Sequence, residues 1–198
     1  MPTNEPPVLV GERLQLRGVA DPDLAALQQL CGDPTVMAHF PAPLSPAETS
    51  ALLAGNATRW ARDGMGLWAV ELLDTAPTGP AQCIGLAGLS SCDWLAPGAV
   101  EVSWRLAAAH WGRGYGPEAA TLALAFAFLG LQLGEVVSFT VPANTRSQRV
   151  MEKIGMVRDR ARDFDHPRVE AATHPHLVGH VVWSLTREDW LALHADHV

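Results

Sequence analysis

One stretch constrains the fold more than any other. It reads Val100-Glu-Val-Ser-Trp-Arg-Leu106, continues Ala-Ala-Ala-His-Trp-Gly-Arg-Gly-Tyr-Gly-Pro-Glu to Glu118, and ends in an apolar run to Leu129. Val100, Val102, Trp104 and Leu106 alternate with Glu101, Ser103 and Arg105, which is the period of a strand with two unlike faces. Gly112, Gly114 and Gly116 then follow at every second position. They strip side chains from a turn and let backbone N–H groups point inward. Pro117 suits the first position of a helix, and Glu118 places a negative charge in its first turn. Strand, glycine turn and helix N-terminus in this order suit the binding of phosphate.

The rest of the chain organises around that unit. Residues 1 to 10 are proline-rich and are expected to be loose. Residues 11 to 198 read as a single domain, long enough to bury a core. Leu14 and Leu16 mark a short strand. Asp21-Pro22 opens a helix that Asp33-Pro34 stops, and Ser45 with Glu48 forms a capping box for a second helix to about Arg62. Strands over Leu67 to Leu73, Cys83 to Leu89 and Ala99 to Leu106, with a turn at Thr75 to Pro80, suggest an antiparallel meander. A helix from Pro117 to about Leu129 comes next, then a strand over Val136 to Val141. Asn144 caps a helix to about Lys153. Strands over Val157 to Phe164 and His180 to Leu185 enclose a loop rich in His and Pro, and Thr186 caps a terminal helix. This order implies an α/β chain with a mixed sheet and helices on both faces.

Composition excludes several classes. With 48% hydrophobic and 18% charged residues, the chain is an ordinary folded protein. Its richest apolar run, Leu122 to Leu129, is too short to span a membrane, and the N-terminus lacks the pattern of a signal peptide. A net charge of −7 argues against nucleic acid as a partner and favours a cationic substrate such as an amine. Cys31, Cys83 and Cys92 are odd in number and widely spaced, as expected of free thiols in the cytoplasm and not of a zinc site.

The glycine turn fits neither of two familiar phosphate motifs. A P-loop needs Lys-Ser/Thr where Pro117-Glu118 stands. A dinucleotide site needs other glycine spacing and an acidic residue after the next strand, which ends in Val141-Pro142. Taken alone, the turn is either a pyrophosphate cradle made of backbone amides or a connection with no ligand.

Residues 142 to 156, Pro-Ala-Asn-Thr-Arg-Ser-Gln-Arg-Val-Met-Glu-Lys-Ile-Gly-Met, add a second motif. With Trp-Gly-Arg-Gly-Tyr-Gly-Pro-Glu-Ala at 111 to 119, the chain resembles the GNAT acetyltransferase superfamily, and within it the branch of ribosomal-protein N-terminal acetyltransferases. The resemblance runs from Glu12-Arg13-Leu14 to Trp183-Ser-Leu. It implies a GNAT-like twisted, mostly antiparallel sheet and acetyl-CoA as donor, with no metal. It also implies that the backbone of Trp111, Gly112, Arg113, Gly114, Tyr115 and Gly116 holds the pyrophosphate, with Trp111 in a slot the family usually fills with Gln or Arg. The Arg113 side chain can add a phosphate contact. Leu106 and Ala107 would pair with the pantetheine arm like an added strand and supply a donor to the tetrahedral intermediate. Asn144 is implied as a pantetheine ligand besides capping its helix. Ser147, one turn on, is the candidate to protonate the leaving thiolate. The tyrosine that many of these enzymes carry on this helix is absent, since Tyr115 is the chain's single tyrosine. Glu101 is the implied base for the attacking amine, its bland alternative being a salt bridge with Arg105 or another cation.

The acceptor amine, a protein N-terminus or a small molecule, is left open. The loop with His166, His174 and His176, together with His180, lacks a metal-ligand set; it either shapes the acceptor pocket, with Asp163 and Asp165 to attract the amine, or is a surface loop with incidental histidines. Seven tryptophans read mainly as core, with one or two left for the acceptor site or a homodimer interface. The alternative to an acyltransferase is a non-catalytic acetyl-CoA sensor or an interaction module.

Overall fold

The computed structural model describes residues 5–73 and 82–195, so the turn expected at Thr75 to Pro80 lies outside the described residues. Eight strands form one sheet. They are β1 (Leu9–Val10), β2 (Leu14–Arg17), β3 (Leu67–Leu72), β4 (Gln82–Ser91), β5 (Val100–Leu106), β6 (Glu135–Thr140), β7 (Val157–Asp165) and β8 (Gly179–Thr186). Their order across the sheet is β1-β2-β3-β4-β5-β6-β8-β7. Every neighbouring pair is antiparallel except β5 with β6. The N-terminal segment corrects one expectation: Leu9 and Val10 pair with Leu16 and Gln15 instead of lying loose, and the Pro7 carbonyl accepts the Trp68 indole N–H at 2.8 Å.

Helices cover both faces. On one side lie α3 (Tyr115–Ala125), α4 (Thr145–Lys153) and α5 (Arg187–Leu193). Their buried residues Ala119, Ala120, Ala123, Leu124, Met151 and Trp190 pack with Val100, Val102 and Leu106 of β5. Alanines at the contact let α3 lie close to the sheet, which carries its N-terminus to the end of β5. On the other side are α1 (Leu24–Gly32) and α2 (Pro46–Asp63), with Leu27 and Leu30 against Leu86 of β4. The Ser45–Glu48 capping box forms as expected, with reciprocal bonds of 3.2 and 2.8 Å.

Two local departures concern the site. Helix α3 starts at Tyr115, so Pro117 is its third residue and not its first. The substitution of roles costs nothing, because the first four N–H groups of a helix have no internal partner. At its far end the helix widens into a π turn over Phe126–Gly130, where the Leu131 N–H reaches the Phe126 carbonyl at 3.0 Å. β4 presses closely on the end of β5: a Cβ on Gly85 would stand 2.8 Å from the Leu106 Cα and collide with the Arg105 carbonyl.

Trp68 is fully buried on β3 and meets Trp60 and Phe126 edge-on, at ring-centroid distances of 4.7 and 5.3 Å. This cluster joins α2, β3 and the π turn, so Trp68→Ala should lower the unfolding free energy by about 3–5 kcal/mol. Urea titration followed by circular dichroism measures the loss, and a value within experimental error of the parent would refute the role.

Candidate active site

The site originates where the sheet parts. β5 pairs with β4 along its whole length, from Val100↔Ser91 to Leu106↔Gly85. β6 pairs likewise with β8, from Glu135↔Thr186 to Thr140↔Val181. Between β5 and β6 there is one register pair, Glu101↔Val137. Beyond it the two parallel strands separate, and a cavity of about 1180 Å³ runs through the gap. The Ala107 N–H donates to the Ile84 carbonyl at 2.9 Å, on the β4 side. By the alternation of an antiparallel ladder, the backbone groups of Trp104 and Leu106 therefore face the gap. The Leu106 carbonyl there accepts the Trp111 indole N–H at 2.7 Å. The Ala107 carbonyl accepts from His110, so Ala107 turns neither backbone group to the gap.

At one mouth lies the glycine turn. Gly112 and Gly114 have φ values of 75° and 86°, which L side chains rarely adopt. Arg13 clamps the turn from β2's side: its guanidinium donates to the Arg113 carbonyl at 2.9 Å and to the Glu118 carboxylate at 2.8 Å. The Glu118 carboxylate also takes the Arg13 N–H at 2.8 Å. Sequence alone gave Glu118 a first-turn charge and Arg13 no role, because their pairing spans 105 positions. Trp111 occupies its slot by stacking under the Arg146 guanidinium, 3.8 Å from the ring centroid. Trp111, Gly112, Gly114, Tyr115 and Gly116 line the cavity; Arg113 is exposed beside it.

Asn144 caps α4, its carbonyl oxygen accepting the Ser147 N–H at 3.2 Å. Its amide donates to Thr140 Oγ1 at 2.9 Å and to Ser147 Oγ at 3.0 Å. Both donors are thus spent on the protein. Ser147 gains from this arrangement: its oxygen is already an acceptor, so its own hydrogen is directed elsewhere, and the residue lines the cavity.

Glu101 stands on the cavity floor, on the opposite face of β5 from Val100 and Val102. The salt bridge with Arg105 does not form. Among the described residues the Glu101 carboxyl has no hydrogen bond or ion pair, and Arg105 instead donates to Cys31 Sγ at 3.2 Å and stacks on Phe40. Desolvation pushes the Glu101 carboxyl from the ordinary 4.5 up to about 8. No cysteine lines the cavity, and burial pushes the Cys83 and Cys92 thiols up to about 11 and about 12.

The wall expected of the His-rich loop is present in part, without His174 and His176. His166, Arg168 and Val169 from the loop after β7 line the cavity with Leu177 and His180. Burial, with His180 and Arg168 nearby, lowers the His166 pKa; burial lowers that of His180. Asp163 and Asp165 do not line it. Asp163 is held below the usual carboxylate range by Arg158 and accepts the Val182 N–H. The α1–α2 connection, with His39 and Phe40, forms a further wall that the sequence did not reveal. Of the tryptophans, Trp60, Trp68, Trp183 and Trp190 are core, and Trp94, Trp104 and Trp111 line the cavity.

Residues 13–157 match the family model described as Acetyltransferase (GNAT) domain. The uncharacterized protein YkkB of Bacillus subtilis (strain 168) is 32% identical over 149 residues, covering 75% of this chain and 84% of that protein. An acetyltransferase of Agrobacterium tumefaciens str. C58 superposes with a TM-score of 0.73 at 29% identity, covering 91% of this chain and 95% of that one. The spermidine N-acetyltransferase of Vibrio cholerae, solved with CoA and spermine, shares the fold at a TM-score of 0.69 and 18% identity, over 90% of this chain and 98% of that one.

The Glu101 carboxyl has a consequence for stability. Its folded pKa of about 8 lies above the ordinary 4.5 of an unfolded chain, so the folded state binds the extra proton. Between these two values its contribution makes stability fall as pH rises. Glu101→Gln should remove that fall, leaving the variant relatively more stable than the parent near pH 8 and above. Melting temperatures of both proteins across this range test it; parallel curves would show that the carboxyl is not desolvated.

Proposed function

The chain belongs to the GNAT acetyltransferase family, and from that premise we propose that it moves an acetyl group from acetyl-CoA directly to an amine, a protein N-terminus or a small molecule. One observation carries the reading: a single cavity leads from the glycine turn, through the β5–β6 gap, to the unpaired Glu101 carboxyl. The pyrophosphate rests on the amides of the turn and the N-terminus of α3. The pantetheine arm enters the gap as an added strand beside Trp104 and Leu106. The N–H groups these residues turn to the gap also serve the oxyanion. Asn144, with both donors engaged, supports this arm through Ser147 and the α4 N-terminus.

In the transfer step the amine nitrogen attacks the thioester carbonyl carbon. A C–N bond forms, the amine proton passes to the Glu101 carboxylate, and the C–S bond breaks with its electron pair on sulfur. A base with pKa near the working pH is best matched to this task. The leaving thiolate, with a pKa of roughly 8.5, needs no strong acid. Ser147 donates a hydrogen bond to it, and its final proton comes from Glu101 through water. A sensor would need neither an unpaired Glu101 nor an oriented Ser147. Free thiols at Cys31, Cys83 and Cys92 suit a cytoplasmic enzyme, and no described helix is long and apolar enough to cross a membrane.

Thiol release from acetyl-CoA with a panel of amines, alongside CoA-induced change in melting temperature, tests the function. Cofactor binding without release for any amine would favour the sensor, and no shift at saturating CoA would reject the cofactor. kcat/KM should rise with pH through about 8. Glu101→Gln should lower kcat by about a hundredfold or more while sparing CoA affinity; equal turnover would remove Glu101 as base. Gly116 has room for a Cβ, 3.6 Å from Val150 Cγ2, and no positive φ. Gly116→Asp should therefore fold and yet weaken CoA by at least about thirtyfold, through charge repulsion of roughly 2 kcal/mol in calorimetric titration. Unchanged affinity would place the phosphates elsewhere.

A further inference from the structure

The chain's net charge of −7 pointed to a cationic acceptor, but the cavity has the opposite character. Glu101 is the single carboxylate in its described lining. Arg146, Arg149 and Lys153 of α4 also line the cavity, with Arg146 stacked on Trp111 of the glycine turn, where CoA phosphates would account for them. A second cationic set, Arg59, Arg105 and Arg168, is not accounted for in this way. Arg105 is on β5 on the same face as Glu101 and Ser103, across the sheet from the α3 and α4 side. Arg59 belongs to α2 and lines the same cavity.

Arg105 has no carboxylate partner among the described residues, whereas Arg59 acts electrostatically on Asp63, and Arg62, also in the cavity lining, pairs with that carboxylate at 2.6 Å. Arg13, Arg17, Arg158 and Arg162 are likewise paired. The Nε of Arg59 and the Nε of Arg105 are both buried without an acceptor. A buried guanidinium N–H left unpaired carries a penalty that an incoming acceptor group relieves. Arg105 is also held in place by weak contacts: the Cys31 sulfur at 3.2 Å and the Phe40 ring at 4.4 Å orient the guanidinium without neutralising it. Burial lowers the pKa of both His166 and His180, which favours their neutral form, and neither supplies a negative charge to offset the arginines.

We propose that the amine acceptor carries an anionic group, a carboxylate or phosphate, which Arg105 binds with Arg59 adding to the field while the amine is presented to Glu101. The inference rests on the acyl-transfer reading above. Glu101 and Arg105 are four positions apart on one strand, roughly 13 Å between Cα atoms, so amine and anion are held at the two ends of one face. Amino acids with acidic side chains, phosphorylated amines and peptides with acidic first residues have this chemistry. A polyamine does not: it would bring further positive charge against the unneutralised Arg105.

The test compares acetyl transfer to glutamate, phosphoethanolamine, a peptide beginning with glutamate, a neutral amino amide and spermidine, in the parent, Arg105→Gln and Arg105→Lys. One or more anionic acceptors should exceed spermidine in kcat/KM by at least about tenfold. Arg105→Gln should raise KM for that acceptor by about tenfold or more, leave the neutral amide within about twofold, and leave the CoA dissociation constant unchanged. Arg105→Lys, which keeps the charge and loses the fork, should recover part of the effect. Carboxylate and phosphate acceptors in separate arms identify which anion is read. Preference for spermidine, an equal loss for every acceptor, or a loss of CoA affinity in Arg105→Gln would each overturn the inference. Thiol release with none of the amines would overturn the acyl-transfer reading and this inference with it.

Discussion

The site depends on one shared register pair, Glu101 with Val137, where two strands of the same sheet touch and then part. β5 commits its pairing to β4, and β6 commits its own to β8. Each strand is therefore stable without the other, and the sheet can open between them at little cost. A parallel pair needs a crossover, and here that crossover is α3 with the glycine turn before it. The turn thus sits at the end of β5 for the same topological reason that the gap begins there. A fold with fully paired β5 and β6 would bury the backbone of Trp104 and Leu106 in a ladder and leave no passage between the two faces.

The gap also sets the electrostatics. It connects the cationic side near the glycine turn to a face on which Glu101 has no partner among the described residues, and enclosure raises that carboxyl to about 8. A salt bridge with Arg105 would have held it ionised. Arg105 lies on the same strand and the same face, but it leans away to Cys31 and Phe40 of the helical layer. The same lean leaves the arginine unpaired. One geometric choice therefore accounts for both an unpaired carboxyl and an unpaired cation. The overall charge of −7 says nothing of this, because field at a site follows the nearest groups and not the sum.

Much of the fold was legible because its signals are local. The Ser45–Glu48 box, the Asn144 cap and the alternation of β5 depend on residues within a few positions of one another. The expected strands all appear, with boundaries moved by a residue or two. The misses have a common physical origin in contacts between distant segments. Leu9–Val10 is a strand only because β2 offers an edge. Arg13 matters only because Glu118 and the Arg113 carbonyl reach it. The wall formed by His39 and Phe40 has no periodic signal, since a connection takes its shape from what it packs on.

By itself the sequence determined the glycine turn, the helix that follows it, the capped Asn144–Ser147 turn and the placement of Glu101 on a face apart from the valines. Each follows from backbone sterics or from side-chain periodicity, which neighbouring residues settle. Only the tertiary structure decided that Glu101 has no partner among the described residues, that Asn144 has no donor to spare, that Asp163 is turned away, and that Arg59 and Arg105 face an open cavity. Those facts concern desolvation and pairing, and both depend on which distant groups the fold brings near and which it keeps apart.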